Sequence, residues 1–140
     1  MIKGIGLIIG ILHLSALPAF AETREEFQRV ANAVEKYIDG TENGKPELLE
    51  DAFLPSFEMQ WVDDQNKLAR MPASDFINIF RDGKFRERNA EIISLDVSGN
   101  AATAKLHLTF NNRRYTDYLL LLQVDGEWKI SHKILHSVEN

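Results

Sequence analysis

Four consecutive leucines, Leu119 to Leu122, constrain the fold of this chain more than any other feature of its sequence. They lie inside a strand-like run from Tyr115 to Val124, bounded by the turn signals Asn111-Asn112-Arg113 and Asp125-Gly126-Glu127. Successive strand residues point to opposite faces of a sheet, so this run requires apolar cover on both sides. Helices packed on the sheet supply one side. A second copy of the chain, related by a twofold axis, is expected to supply the other. The alternative is a central strand whose outer face is covered by a loop.

Three further runs have strand character: Ile92 to Val97, Ala101 to Phe110 and Trp128 to Leu135. With the leucine run they predict a four-stranded antiparallel meander in the second half of the chain. The first half reads differently. Thr23-Arg24-Glu25-Glu26 fits a capping box, and Phe27, Val30, Ala31, Val34, Tyr37 and Ile38 recur at helical spacing, with Gly40 as the expected C-terminal cap. Lys45-Pro46-Glu47 predicts a second helix burying Leu48, Leu49, Ala52 and Phe53, stopped by Pro55. Phe57, Met59 and Trp61 alternate as on a strand, and Asp63 to Asn66 turns the chain back through Lys67 to Arg70. A third helix is expected over Pro72 to Phe80, with Gly83 following. Helices first and a meander last imply an α+β fold with the helices across one face of a curved sheet.

The first residues read as an address. A basic start at Lys3, an apolar stretch from Gly4 to Leu17 and small residues at Ala19 and Ala21 predict a signal peptide over residues 1–21, cut after Ala21. Residues 22–140 would then form one exported domain, periplasmic or secreted, with no membrane anchor after cleavage. The chain holds no cysteine, which excludes disulfides, thiolate metal sites and thiol nucleophiles. Sixteen Lys and Arg against 21 Asp and Glu give a net charge of −5, so no nucleic-acid partner is expected.

The element order is accompanied by Val34-x-x-Tyr37-x-x-Gly40, Ala52-Phe53, Ala101-x-x-Ala104-Lys105, Thr116-Asp117-Tyr118 with the leucine run, and Asp125-Gly126-Glu127-Trp128-Lys129-Ile130 ending at Lys133-x-x-His136. Over residues 25 to 137 the chain thus resembles the nuclear transport factor 2-like superfamily, in the branch labelled putative lumazine-binding. The resemblance implies a cone-shaped α+β domain with a pocket between the curved antiparallel sheet and three helices, commonly a dimer across the sheet. That superfamily includes isomerases, cyclases, dehydratases, transport adaptors and binding modules, so the fold alone does not fix a chemistry.

Among the residues able to carry chemistry, Asp117 and Tyr118 are adjacent on one strand, so only one can face the interior. An inward Asp117 among Trp61, Phe57 and apolar helix residues would suit general acid or base work; alternatively it pairs with Arg114 or a basic residue of another strand. His107, His132 and His136 have no ligand spacing for a metal, and if the last strand is unbroken His132 and His136 share a face with Trp128, Ile130 and Ile134. Arg81, Lys84, Arg86 and Arg88, with Arg113-Arg114, either bracket an anionic ligand or form a solvated loop. The leading expectation is a dimeric small-molecule-binding module with no metal or cofactor, whose wall or mouth includes Phe57, Trp61, Phe76, Phe80, Tyr118, His132 and Lys133. The alternative is a cofactor-free enzyme of isomerase, dehydratase or cyclase type with Asp117 as its catalytic residue. A scaffold with no ligand pocket is the third reading.

Overall fold

A computed structural model describes residues 17–140, with side chains from Thr23 onward. The chain runs through α1 (Leu17–Asn43), α2 (Pro46–Ala52), β1 (Phe53–Val62), β2 (Leu68–Pro72), α3 (Ala73–Asn78), β3 (Asn89–Ser98), β4 (Ala101–Thr109), β5 (Arg113–Val124) and β6 (Glu127–Glu139). The signal-peptide reading falls largely on residues 1–16, outside the described residues. Within the described residues the first helix already runs from Leu17, upstream of the expected cap at Thr23, and passes through Ala21.

Both ends of the α1–α2 connection depend on glycine. Gly40 lies inside the helix, and a Cβ there would sit 2.7 Å from Leu49 Cδ2, so its function is the close approach of α2. Gly44, four residues later, has φ +60°, and its Cβ would meet the Gly83 carbonyl carbon at 2.6 Å. The helix therefore ends at Gly44 and not at the expected Gly40. Gly44→Ala is expected to destabilise the domain by about 1–3 kcal/mol, because it combines backbone strain with a clash against main chain. A urea midpoint unchanged from wild type would show that the two loops are free to part.

The six strands form one sheet in the order β2-β1-β6-β5-β4-β3. The expected antiparallel meander is β3 to β6. The sequence reading did not include the parallel pairing of β1 with β6, where Met59 is in register with Lys133 and Gln60 with Ile134. That pairing joins the N-terminal hairpin to the meander, making a mostly antiparallel sheet of six strands. Bulges on β3 and β6 bend it.

The helices cover one face of this sheet. Val30, Ala33, Val34 and Tyr37 of α1 are buried against inward residues of the meander, including Ala102, Ala104, Leu106, Leu119 and Leu121. At the α2–β1–α3 end the core is aromatic: Phe53 stacks on Phe57 with ring centroids 3.9 Å apart, and Phe76 lies 5.8 Å from Phe57 and 5.2 Å from Phe80. The leucine run divides as its periodicity requires. Leu119 and Leu121 are buried, whereas Leu120 and Leu122 are 49% and 41% exposed on the outer face. Tyr118, Val124 and Ile134 are also exposed there, around the two outward leucines, and Val138 is exposed further along β6, opposite Arg114.

One bulge decides which side chains of the last strand face inward. Leu120 is in register with His132 but Leu121 with Ile130, so Ser131 is an extra residue, and its hydroxyl donates to the Leu120 carbonyl at 3.1 Å. Trp128 and Ile130 face the core. Beyond the bulge the parity reverses, putting Lys133 and Leu135 inside and His132, Ile134 and His136 outside. The expectation of an unbroken strand is therefore corrected, and with it the place of His132 in the cone wall. Tyr118 is corrected for the same kind of reason: Asp117 takes the inward position, and Tyr118 lies on the outer face, 43% exposed.

Candidate functional site

The strand register sets an acid and a base side by side in the interior. Asp117 on β5 and Lys133 on β6 both point toward α1, which presents Tyr37 from its buried stripe. The Tyr37 hydroxyl donates to Asp117 Oδ2 at 2.7 Å, and Lys133 Nζ donates to the Tyr37 oxygen at 2.6 Å and to Asp117 Oδ2 at 2.9 Å. These three residues are 1%, 0% and 5% exposed for Tyr37, Asp117 and Lys133. The ammonium also lies 5.2 Å from the Tyr37 ring centroid and 5.3 Å from that of Phe76. A buried ion pair of this kind is tolerated only when hydrogen bonds absorb the remaining lone pairs and protons. Here the cluster is incomplete, since Asp117 Oδ1 is buried with no partner among the described residues.

A second cation backs the cluster. Arg88, just ahead of β3, donates to Thr41 Oγ1 at 2.6 Å and to the Ile38 carbonyl at 2.9 Å, and lies 5.8 Å from the Phe110 ring centroid. Thr41 in turn donates to the Tyr37 carbonyl at 2.8 Å, so Arg88 fixes the end of α1 that carries Tyr37. Two other members of the basic run are engaged at the surface: Arg86 pairs with Asp82 and lies over Phe80, and Arg81 pairs with Glu50.

Burial pushes the Tyr37 hydroxyl well above the usual tyrosine range, and the Asp117 charge adds to the effect. Burial also pulls the Lys133 ammonium below the usual lysine range, against the attraction of Asp117. Folded Tyr37 thus holds its proton to higher pH than the unfolded chain does. Its contribution is complete below about pH 10 and is lost as pH rises beyond that toward the folded value. Lys133 acts in the opposite sense, raising stability with pH between its lowered value and about 10.4. Comparison with Tyr37→Phe isolates the tyrosine: from about pH 9 to about pH 11, wild type is expected to lose more stability in urea unfolding than the variant. Parallel losses would mean that Tyr37 titrates as an ordinary tyrosine.

Beside the cluster lies a cavity of about 790 Å³, opening where the β1–β6 pairing ends at Gln60 and Ile134. Met59, Trp61, Tyr115, Leu135 and Ser137 line it with Arg113, and Val62, Asp63, Asp64 and His136 complete its border. Leu135 is the register partner of Asp117, and Tyr115 precedes Asp117 by two residues on the same face. The ion-pair cluster therefore lies one row deeper than this lining. Arg113 reaches Ser137 Oγ and Glu139 Oε1, both at 3.2 Å.

Of the residues expected at the wall, Trp61 lines the cavity. Phe57, Phe76 and Phe80 are packed into the aromatic core, Lys133 is held against Asp117, and Tyr118 and His132 are outside. The sequence marks Tyr37 as a residue of the buried stripe of α1 and Arg113 as one of a set of basic residues able to bracket an anion, but it gives no special place to Thr41 or Tyr115. The available signal at Tyr37 was its hydroxyl, since a tyrosine in a helix's buried stripe needs a polar partner. Among the described residues no group of three or more His, Asp or Glu is placed to hold a metal ion.

The three helices on a curved, mostly antiparallel sheet, with a cavity at its concave face, define a nuclear transport factor 2-like domain. The chain belongs to the family described as Putative lumazine-binding, whose model matches residues 25–136. It is similar to a nuclear transport factor 2-like protein of unknown function from Shewanella baltica, at 26% identity and TM-score 0.75 over 83% of this chain and 96% of that one. A ketosteroid isomerase-like protein from Erwinia carotovora atroseptica shares the fold at 11% identity and TM-score 0.66, covering 83% and 98% of the two chains. Among curated proteins, Aldolase FrzH of Cladobotryum sp is 23% identical over 117 residues, covering 82% of this chain and 94% of that one.

Proposed function

We propose that this protein is an exported, dimeric small-molecule-binding module whose ligand occupies the cavity at the open end of the cone. The observation that carries this reading is the cavity itself. Its volume of about 790 Å³ lies within the usual range for ligand sites, and its lining is mixed, with Met59, Trp61, Val62, Tyr115 and Leu135 beside Asp63, Asp64, Arg113, His136 and Ser137. Trp61 is the side chain best suited to hold a flat apolar molecule there. Trp61→Ala is expected to weaken ligand binding at least tenfold while leaving the dimer intact. Unchanged affinity would remove Trp61, and with it this cavity, from the site.

Dimerisation is supported by the outer sheet face, where Tyr118, Leu120, Leu122, Val124 and Ile134 are between 41% and 53% exposed. Contiguous apolar surface of this kind marks an interaction site on a folded chain. Export is supported by the sequence of residues 1–21.

One observation favours a second reading, a cofactor-free enzyme working by proton transfer. Asp117, Tyr37 and Lys133 form a buried chain of proton donors and acceptors next to the cavity, and the Cladobotryum relative bears the name of an aldolase. In this reading Asp117→Asn and Tyr37→Phe each abolish turnover while sparing binding. Turnover that survives both substitutions would exclude the cluster from catalysis.

A further inference from the structure

The cavity lies where two strands part. β1 and β6 stay in register as far as Gln60 and Ile134; beyond that point β1 pairs only with β2, through Trp61 and Val62, whereas β6 continues beside β5 from Leu135 to Glu139. One wall therefore comes from the end of β1 and the turn after it, and carries the carboxylates of Asp63 and Asp64. The other comes from β5 and β6, and carries the guanidinium of Arg113. Met59, Trp61, Tyr115 and Leu135 supply the apolar part of the lining. Opposite charges on one cavity pair directly when they can reach each other, and these do not. Asp63 Oδ1 accepts from the Gln65 and Lys67 amides of its own turn, both at 2.9 Å, and Asp64 has no polar partner among the described residues. Arg113 donates to Ser137 and to Glu139, whose side chain is 83% exposed. An exposed pair of that kind is weak, and a guanidinium with five N–H donors can take a second carboxylate beside it.

We propose that the cavity selects zwitterionic ligands, with an ammonium group at one end, a carboxylate at the other and an apolar body between them, the class to which short peptides with free ends belong. Asp64 takes the ammonium, Arg113 takes the carboxylate in the two-pronged geometry that a guanidinium offers, and the body lies on Trp61 and Tyr115. A ligand with only one charge brings its body over the other wall's charge without matching it, and loses affinity for that reason. This rests on the cavity being the ligand site.

The test is calorimetry on the full folded protein with the dipeptide leucyl-phenylalanine, its N-acetyl form and its C-terminal amide; each blocked form keeps the body and loses one charge. Contact is read on the indole N–H resonance of Trp61 in protein labelled with nitrogen-15 tryptophan. Trp128, at the other end of β6 and donating to Glu26 at 2.8 Å, is the internal control. The free dipeptide is expected to bind at least about fivefold more tightly than either blocked form and to move the Trp61 resonance alone. Asp64→Asn is expected to abolish the preference over the N-acetyl form but not over the amide, and Arg113→Gln the reverse. Three equal affinities, or preferences that survive these substitutions, would overturn the selection and leave the cavity reading standing. A Trp61 resonance unmoved by all three compounds would also overturn it, and the cavity reading would then be decided separately, by whether wild-type protein carries an adduct that Trp61→Ala loses.

Discussion

Lys133→Met is expected to destabilise the domain by roughly 3–5 kcal/mol, the usual cost of breaking a buried ion pair from one side. The substitution leaves Asp117, which is wholly buried, with the Tyr37 hydroxyl as its only side-chain hydrogen-bond donor among the described residues. An isolated charge in such surroundings pays a desolvation cost that one neutral hydrogen bond does not offset. The double variant Lys133→Met/Asp117→Leu removes both charges together and is expected to recover most of the loss, because apolar replacement of a complete buried pair is often neutral or better. Urea unfolding of the two variants beside wild type separates the cases. A single variant as stable as wild type, or a double variant no better than the single, would show that the pair is not what holds this part of the core together.

Leu120→Glu is expected to convert the proposed dimer to a monomer, read by light scattering on a sizing column. Leu120 is at the centre of the exposed apolar stripe, with Tyr118 and Leu122 on its own strand and His132 as its register partner on β6. Burying a carboxylate against a twofold-related copy of itself brings two like charges into a dry interface at a cost in desolvation and repulsion. The inner face is untouched, so the monomeric variant should still fold. A wild-type chain that is already monomeric would overturn the proposed dimer, and a variant that stays dimeric would move the contact away from this face.

The sequence made the fold more legible than the site, for reasons that lie in particular residues. The leucine run and the turns around it reported on local geometry, and alternation alone sorted Leu119 and Leu121 from Leu120 and Leu122. Asp125 and Gly126 each take positive φ, as a tight two-residue turn demands, so the β5–β6 hairpin was visible as well. By contrast, the single extra residue at Ser131 has no signature in composition or period. It nonetheless exchanges Lys133 for His132 on the inner face. Gly40 was visible as a glycine, but its role depends on Leu49 approaching from another helix. The site was least legible because it is built across distance: Tyr37 and Lys133 are 96 positions apart, and their contact depends on the sheet being complete.

Native mass spectrometry of the protein purified gently from its own host tests most directly whether the cavity is a ligand site. The predicted result is a dimer carrying a reproducible small-molecule mass on each chain, absent from the Trp61→Ala variant prepared in the same way. A chain that is bare in wild type, or an adduct that survives loss of Trp61, would contradict it.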